Sequence, residues 1–239
     1  MKKLFIIMAC AILSLSVSAQ NTSSSSSSSS SKGKSELSTI FGIRAGLTLA
    51  NQSIKVGSTS VSPDNRMTFH IGVIADIPMA RNFYIETGLF LQNKGFKMTD
   101  AKNNKLTCKP LYIEIPVLAS CRLKLSDAML LQLNAGPYIA HGLGGKAELR
   151  SPDGHASIEN DVFYREGEVT ENYNRFDVGL QFGAGFIVYK HYYIGVAYDL
   201  GLIDTQKNAS IITGPSGFIN VGGFKAKNRS WAISLGYNF

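Results

Sequence analysis

From Phe41 to the last residue the chain alternates apolar with small or polar residues at a period of two, and no helical period competes over the same stretches. The last segment is the cleanest. Trp231, Ile233, Leu235, Tyr237 and Phe239 share one face, and Ala232, Ser234, Gly236 and Asn238 share the other. In the first, Phe41, Ile43, Ala45, Leu47 and Leu49 oppose Gly42, Arg44, Gly46 and Thr48. Six more segments follow the same rule between these two: Met67 to Ile77, Phe83 to Gln92, Leu111 to Arg122, Leu131 to Ile139, Phe176 to Val188 and Tyr192 to Leu202. Each is close to the ~9–11 residues that a tilted strand needs to cross a bilayer.

The connections alternate in length. A long one around Ser58 joins the first two segments, and a short Pro78-Met79-Ala80-Arg81-Asn82 turn joins the next two. Further long connections centre on Asp100, on Asp153 to Glu171 and on Thr213 to Lys225, with Gly142 to Asn174 as the largest loop. Short ones fall near Ser126-Asp127 and Lys190-His191. Short turns on one side and long loops on the other are the habit of outer-membrane barrels. The pattern therefore predicts an all-β fold, an eight-stranded antiparallel transmembrane up-and-down β-barrel in the outer membrane, with both termini on the periplasmic side.

A soluble sandwich or lipocalin-like barrel would turn the apolar face inward and the glycine-rich face to water. Exposed strand faces disfavour glycine. Aromatics gather at segment ends (Phe83, Tyr84, Tyr189, Tyr192, Tyr193, Tyr237, Phe239), as interfacial girdles require. Pro110, Pro116 and Pro137 each remove a ladder donor, so bulges or local irregularity are expected beside them.

Ahead of the strands, Lys2 and Lys3 precede the apolar stretch Leu4 to Leu15, and Val17-Ser18-Ala19 supplies small residues for cleavage. Residues 1–19 thus read as a signal peptide, 20–38 as a flexible leader built on the serine run Ser23 to Ser31, and 39–239 as the barrel domain. Ile7-Met8-Ala9-Cys10 offers a competing lipidation box, although few apolar residues precede its cysteine. After residue 20 no uninterrupted apolar run approaches the ~18 residues of a membrane helix.

The formal charge is +7, or +5 once Lys2 and Lys3 leave with the signal. Its densest run is Lys225-Ala226-Lys227-Asn228-Arg229, and for an exported protein anionic lipid headgroups are a better match than nucleic acid. Cys108 and Cys121 lie thirteen residues apart on one extended segment, roughly 40 Å, far beyond the ~7 Å a disulfide spans. They are expected to be unpaired.

The sequence resembles the PorT-like outer-membrane β-barrel family of Bacteroidetes. The resemblance is carried by Phe41-Gly-Ile-Arg-Ala-Gly-Leu-Thr-Leu-Ala-Asn51, Gln92-Asn-Lys-Gly95, Leu111-Tyr-Ile-Glu-Ile-Pro-Val117, Leu133-Asn-Ala-Gly-Pro-Tyr138, Phe182-Gly-Ala-Gly-Phe186 and Ser234-Leu-Gly-Tyr-Asn-Phe239. It implies the eight-stranded fold and outer-membrane residence, and it carries over no catalytic residues. Its namesake serves type IX protein export, so an accessory role in secretion, with envelope or secretion-system partners, is what the resemblance implies.

Candidate chemistry is confined to the inward face and the loops. The inward face carries Arg44, His70, Asp76, Glu86, Glu114, Arg122, Asp177 and Asp199. An eight-stranded lumen has room for little besides side chains, and buried charges persist there when paired. The expectation is a structural ion-pair and hydrogen-bond plug around Arg44 and Arg122; a proton path or narrow pore is the sharper alternative. A lipid-modifying enzyme would need a held nucleophile, base and orienter. His141 with Ser151, Ser157 and Glu159, or His155 beside the last two, offers only sequence proximity, and no Gly-x-Ser-x-Gly elbow occurs. The histidines also lack a compact metal-ligand spacing. The reading is a non-enzymatic structural or interaction barrel without cofactor, in contact with outer-membrane lipid, with a surface-ligand-binding barrel as the alternative.

Overall fold

The alternation along each segment becomes the two sides of a closed wall. The computed structural model describes residues 38–56, 59–61, 65–99, 105–150, 157–163, 174–205 and 224–239. Its strands are β1 (Ile40–Val56), β2 (Thr59–Val61), β3 (Arg66–Ala80), β4 (Phe83–Asn93), β5 (Phe96–Thr99), β6 (Lys105–Lys124), β7 (Met129–Arg150), β8 (Ser157–Asp161), β9 (Phe176–Val188), β10 (Tyr192–Gly201) and β11 (Phe224–Asn238). Eight of them form a ring in the order β6, β4, β3, β1, β11, β10, β9, β7, closed by pairing of β7 with β6. Every pair is antiparallel, and the first and last strands meet at a seam running from Gly42 opposite Asn238 to Val56 opposite Phe224. Among the described residues no helix is long and apolar enough to cross a membrane; the strands do the crossing.

Burial follows parity. Leu47, Phe69 and Leu235 are 52%, 62% and 61% exposed, whereas polar residues of the opposite face, such as Thr48, Asp76 and Gln132, are fully buried. Water would penalise that arrangement and lipid rewards it. Aromatic contacts ring the short-turn end, where Tyr237 meets Tyr192 and Phe239 edge-on, and Tyr198 packs on Trp231 near the other end.

The strands outgrow the bilayer. The pattern predicts strands of ~9–11 residues, yet β6 and β7 run to 20 and 22 residues. Residues 142–150, expected within the largest loop, are strand, paired from Gly142 opposite Tyr112 to Arg150 opposite Lys105. β5 and β8 flank this extension on β6 and β7. The apolar alternation fades once a strand leaves lipid, so backbone pairing continues where the side-chain pattern no longer announces it.

The ladder is irregular beside the prolines. The β6–β7 register shifts between Leu111 and Tyr112, just after Pro110. Pairing skips from Thr87 opposite Val117 to Phe90 opposite Glu114 beside Pro116, and from Pro116 opposite Tyr138 to Ala119 opposite Ala135 beside Pro137. Cys108 and Cys121 are both free thiols.

The β9–β10 turn places Tyr189 (φ 48°) and Lys190 (φ 67°) in the left-handed region, and His191 N donates to Val188 O at 3.1 Å. Two successive left-handed residues define the hairpin turn that matches strand twist, normally filled by Asn and Gly. Relief of about 1–2 kcal/mol of left-handed strain outweighs the entropy that glycine adds to the unfolded chain. Lys190→Gly is therefore expected to gain about 0.5 kcal/mol on those terms, read as a higher urea midpoint; Lys190→Ala should gain nothing.

Candidate functional site

The inward parity of eight strands converges on one lumen, and two polar clusters fill it. Toward the short turns, the Arg122 guanidinium donates to Asp76 Oδ2 and through Nε to Gln132 Oε1 at 3.3 Å. Gln132 Nε2 donates to Glu86 Oε2 at 2.6 Å, and Asn134 Nδ2 to Glu86 Oε1 at 3.0 Å. Arg122 also lies 4.2 Å from the centre of the Tyr84 ring. Arg44 has no ion-pair partner among the described residues: it sits 4.0 Å above the Tyr193 ring and donates to its neighbour's carbonyl, Ile43 O, at 3.1 Å. A plug around Arg44 as an ion-pair centre is thus not what forms. A cation over an aromatic face takes that place, a contact that strengthens on desolvation.

Toward the long loops the centre is Lys94, which sequence reasoning did not assign. Its Nζ lies 2.6 Å from Glu114 Oε2, 3.2 Å from Asp177 Oδ2 and 4.3 Å from the Tyr138 ring centre. Asn228 Nδ2 and the Tyr138 hydroxyl also donate to Asp177 Oδ2, at 2.9 and 3.3 Å. Asp199 is held by neutral donors: Gln181 at 2.7 Å, Ser230 at 2.7 Å and Gln92 at 3.0 Å. The signal for Lys94 was parity alone. Gln92 faces inward, so two residues on, just past the end of β4, Lys94 faces inward as well.

Between the clusters His70 bonds Thr48 Oγ1 and Ser234 Oγ, both at 2.9 Å. A cavity of about 50 Å³ adjoins it, lined by Arg44, Glu86, Phe90, Glu114 and Gln181 among others. That volume holds a few waters. The His70–Ser234 contact has the length a base and nucleophile use, but a threonine hydroxyl occupies the orienter position and the cavity admits no substrate-sized molecule.

Above Lys94 the mouth is closed by residues that follow β8. Val162 and Phe163 are buried against Tyr112, Tyr138 and Ala140, with the Phe163 and Tyr112 rings edge-to-face at 5.8 Å. Arg175 donates to Phe163 O at 2.8 Å and covers its ring. Gly142 makes this possible, because a Cβ there would lie 2.2 Å from the Phe163 ring.

Outside the mouth, Glu148 on the β7 extension binds Lys109 at 3.0 Å and also Arg150. Those bonds, Lys109 first, hold its carboxyl below the usual carboxylate range. Of the loop residues weighed for catalysis, His141 stacks edge-on with Phe176 at 4.8 Å, while Ser151 and His155 lie outside the described residues. Ser157 and Glu159 are in β8. Among the described residues no group of three or more His, Cys, Asp or Glu is arranged to hold a metal.

Residues 16–207 match the family described as outer membrane protein beta-barrel domain. The chain belongs to that family. The family segment stops short of β11, whose pairing with β1 nevertheless completes the ring. Membership sets the barrel in the outer membrane, in agreement with its apolar outer wall. Among solved structures the chain is similar to OprG of Pseudomonas aeruginosa (15% identity, 84% of this chain and 95% of that one, TM-score 0.45). It is also similar to Ail of Yersinia pestis in complex with the heparin analogue sucrose octasulfate (15% identity, 84% and 99%, TM-score 0.37), and to Neisserial surface protein A (12% identity, 83% and 95%, TM-score 0.38). A comparison with the curated proteins finds no match.

Proposed function

We propose that this barrel is a non-enzymatic structural and interaction component of the outer membrane, with its long-loop end outside the cell and both termini in the periplasm. One observation carries the reading: the lumen is packed with ion pairs and hydrogen-bonded polar groups and covered by Phe163, whereas β5 to β8 build a sheet beyond the apolar band. A rigid, filled scaffold that holds paired strands above a membrane is suited to binding, because binding residues concentrate on elements that a rigid core positions. The PorT-like segments, Leu111 to Val117 and Leu133 to Tyr138 above all, support the finer reading of an accessory to protein secretion. Recognition of a surface ligand by the same extension is the alternative.

The test is cross-linking of the tagged full-length chain in its native membrane, mild-detergent extraction and identification of what co-purifies. Stoichiometric recovery of a secretion or envelope complex is the expected result. Recovery of a lone barrel would overturn the accessory role. Orientation is read in the same strain: a tag inserted at Asp153 should label on intact cells, and one at Lys190 only after permeabilisation.

A further inference from the structure

The side chains that cover the mouth are held differently from the strands around them. β8 ends at Asp161, and beyond it Val162 and Phe163 lie buried among Tyr112, Tyr138 and Ala140. Val162 N donates to Gly145 O at 2.9 Å, and the Phe163 carbonyl accepts from Arg175 Nη2 at 2.8 Å. The second donor is a side chain, which water replaces at modest net cost.

The recess that receives the ring is shaped for it. Pairing of β6 with β7 passes from Leu111 opposite Gly144 to Tyr112 opposite Gly142, so Leu143 is bulged out of the ladder. A Cβ on Gly142 would collide with the ring, and Tyr112 meets the ring edge-to-face. Arg175 closes the remaining side. Its guanidinium lies 5.0 Å from the ring centre, and its Nη1 donates to Gly142 O at 3.4 Å. Its backbone is fixed to β7, because Gly142 N donates to Arg175 O at 2.7 Å.

The barrel beneath is assembled without the ring. Lys94 is held by Glu114 and Asp177, and Asp177 by Tyr138 and Asn228. Withdrawing Phe163 breaks none of those bonds and no strand pairing. Burial of one such side chain favours the closed position by roughly a hundredfold, far less than the unfolding equilibrium of a whole domain.

We infer that Phe163 is a releasable latch: its ring, kept by Arg175, closes the long-loop mouth of the barrel, and its withdrawal uncovers an aromatic recess lined by Tyr112, Tyr138 and Ala140 above Lys94 while the strands stay paired. A partner that grips the β7–β8 extension and binds the open form about a hundredfold more tightly brings the open and closed forms level. That trigger rests on the extension being the binding element. The latch does not, and its test needs no partner.

Native-state hydrogen exchange of the full-length chain in phosphocholine micelles reads the latch through the Val162 amide. That amide should be protected about a hundredfold, and amides within the β1–β11 and β9–β10 ladders far more. Phe163→Ala should remove most of the Val162 protection and leave the ladders as they were. Arg175→Gln should lower it about tenfold. A thiol then shows whether opening uncovers the recess. In a chain carrying Cys10→Ala, Cys108→Ala and Cys121→Ala, the Ala140→Cys thiol should react with a water-soluble maleimide about a hundredfold faster once Phe163→Ala is added. Val162 protection equal to that of the ladders in wild type would overturn the latch, because opening would then be global unfolding. Loss of the compact gel band in Phe163→Ala would overturn it too, by making the ring part of barrel closure. So would Ala140→Cys reactivity that Phe163→Ala leaves unchanged.

Discussion

Lys94→Met is expected to destabilise the barrel by about 3–5 kcal/mol, the cost of leaving a buried charge without its partner. Methionine keeps an unbranched chain as far as the ε position and removes the charged Nζ. Glu114 and Asp177, both fully buried, then face each other's field with no opposite charge between them. Neutralising the acids at the same time should restore most of the loss, because replacing a whole buried ion cluster by neutral groups is often free of cost. Lys94→Met/Glu114→Gln/Asp177→Asn is therefore expected to approach wild type. The measurement is urea unfolding of barrels refolded in phosphocholine micelles, followed by tryptophan fluorescence of Trp231. A single variant as stable as wild type, or a triple variant no better than the single, would show that the cluster is not held together by charge pairing. Conductance in planar bilayers reads the same change: if the Lys94 cluster helps close the lumen, the single variant should pass ions more readily than wild type.

Gly46→Ala is expected to block closure of the barrel. A Cβ at that position would stand 1.9 Å from Ile233 O and 2.9 Å from His70 Cε1. The first obstacle is backbone in the neighbouring strand, which cannot swing aside as a side chain can. The collision falls on the β1–β11 seam, where Gly46 is opposite Ser234. Overpacking costs about 1–3 kcal/mol where side chains can yield, and here the cost should reach or exceed the top of that range. An unpaired seam in lipid also leaves N–H and C=O groups without partners. The expected result is loss of the compact, heat-modifiable gel band in refolding trials. Gly144→Ala, where nothing lies within 4 Å of the added carbon, should refold as wild type. Normal refolding of Gly46→Ala would mean that the seam is looser than its geometry.

The close approach at Gly46 also explains a feature that composition left bare. Glycine on the inner face was legible as a mark against a soluble fold, but the reason was not. At Gly179 and Gly185 the space is taken by Tyr138 and Tyr193, and at Gly46 by a neighbouring carbonyl. Small residues make room for large inward ones contributed by neighbouring strands.

What the sequence determined by itself is everything that depends on parity. A two-residue period fixes which side each residue takes, so Arg44, His70, Asp76, Glu86, Glu114, Arg122, Asp177 and Asp199 could be placed on the inner wall before any strand was paired. Apolar positions exposed on the other side, together with the alternation of short and long connections, then gave the eight-stranded count. Partners were not legible, because they depend on register and on the curvature of the closed ring. Asp76 meets Arg122 across 46 residues and Lys94 meets Asp177 across 83, distances over which no local pattern acts. Strand ends were the least legible of all. Where β6 and β7 leave the membrane the side chains lose their two-sided pattern, and only the backbone hydrogen bonds of the folded ring carry the strands farther.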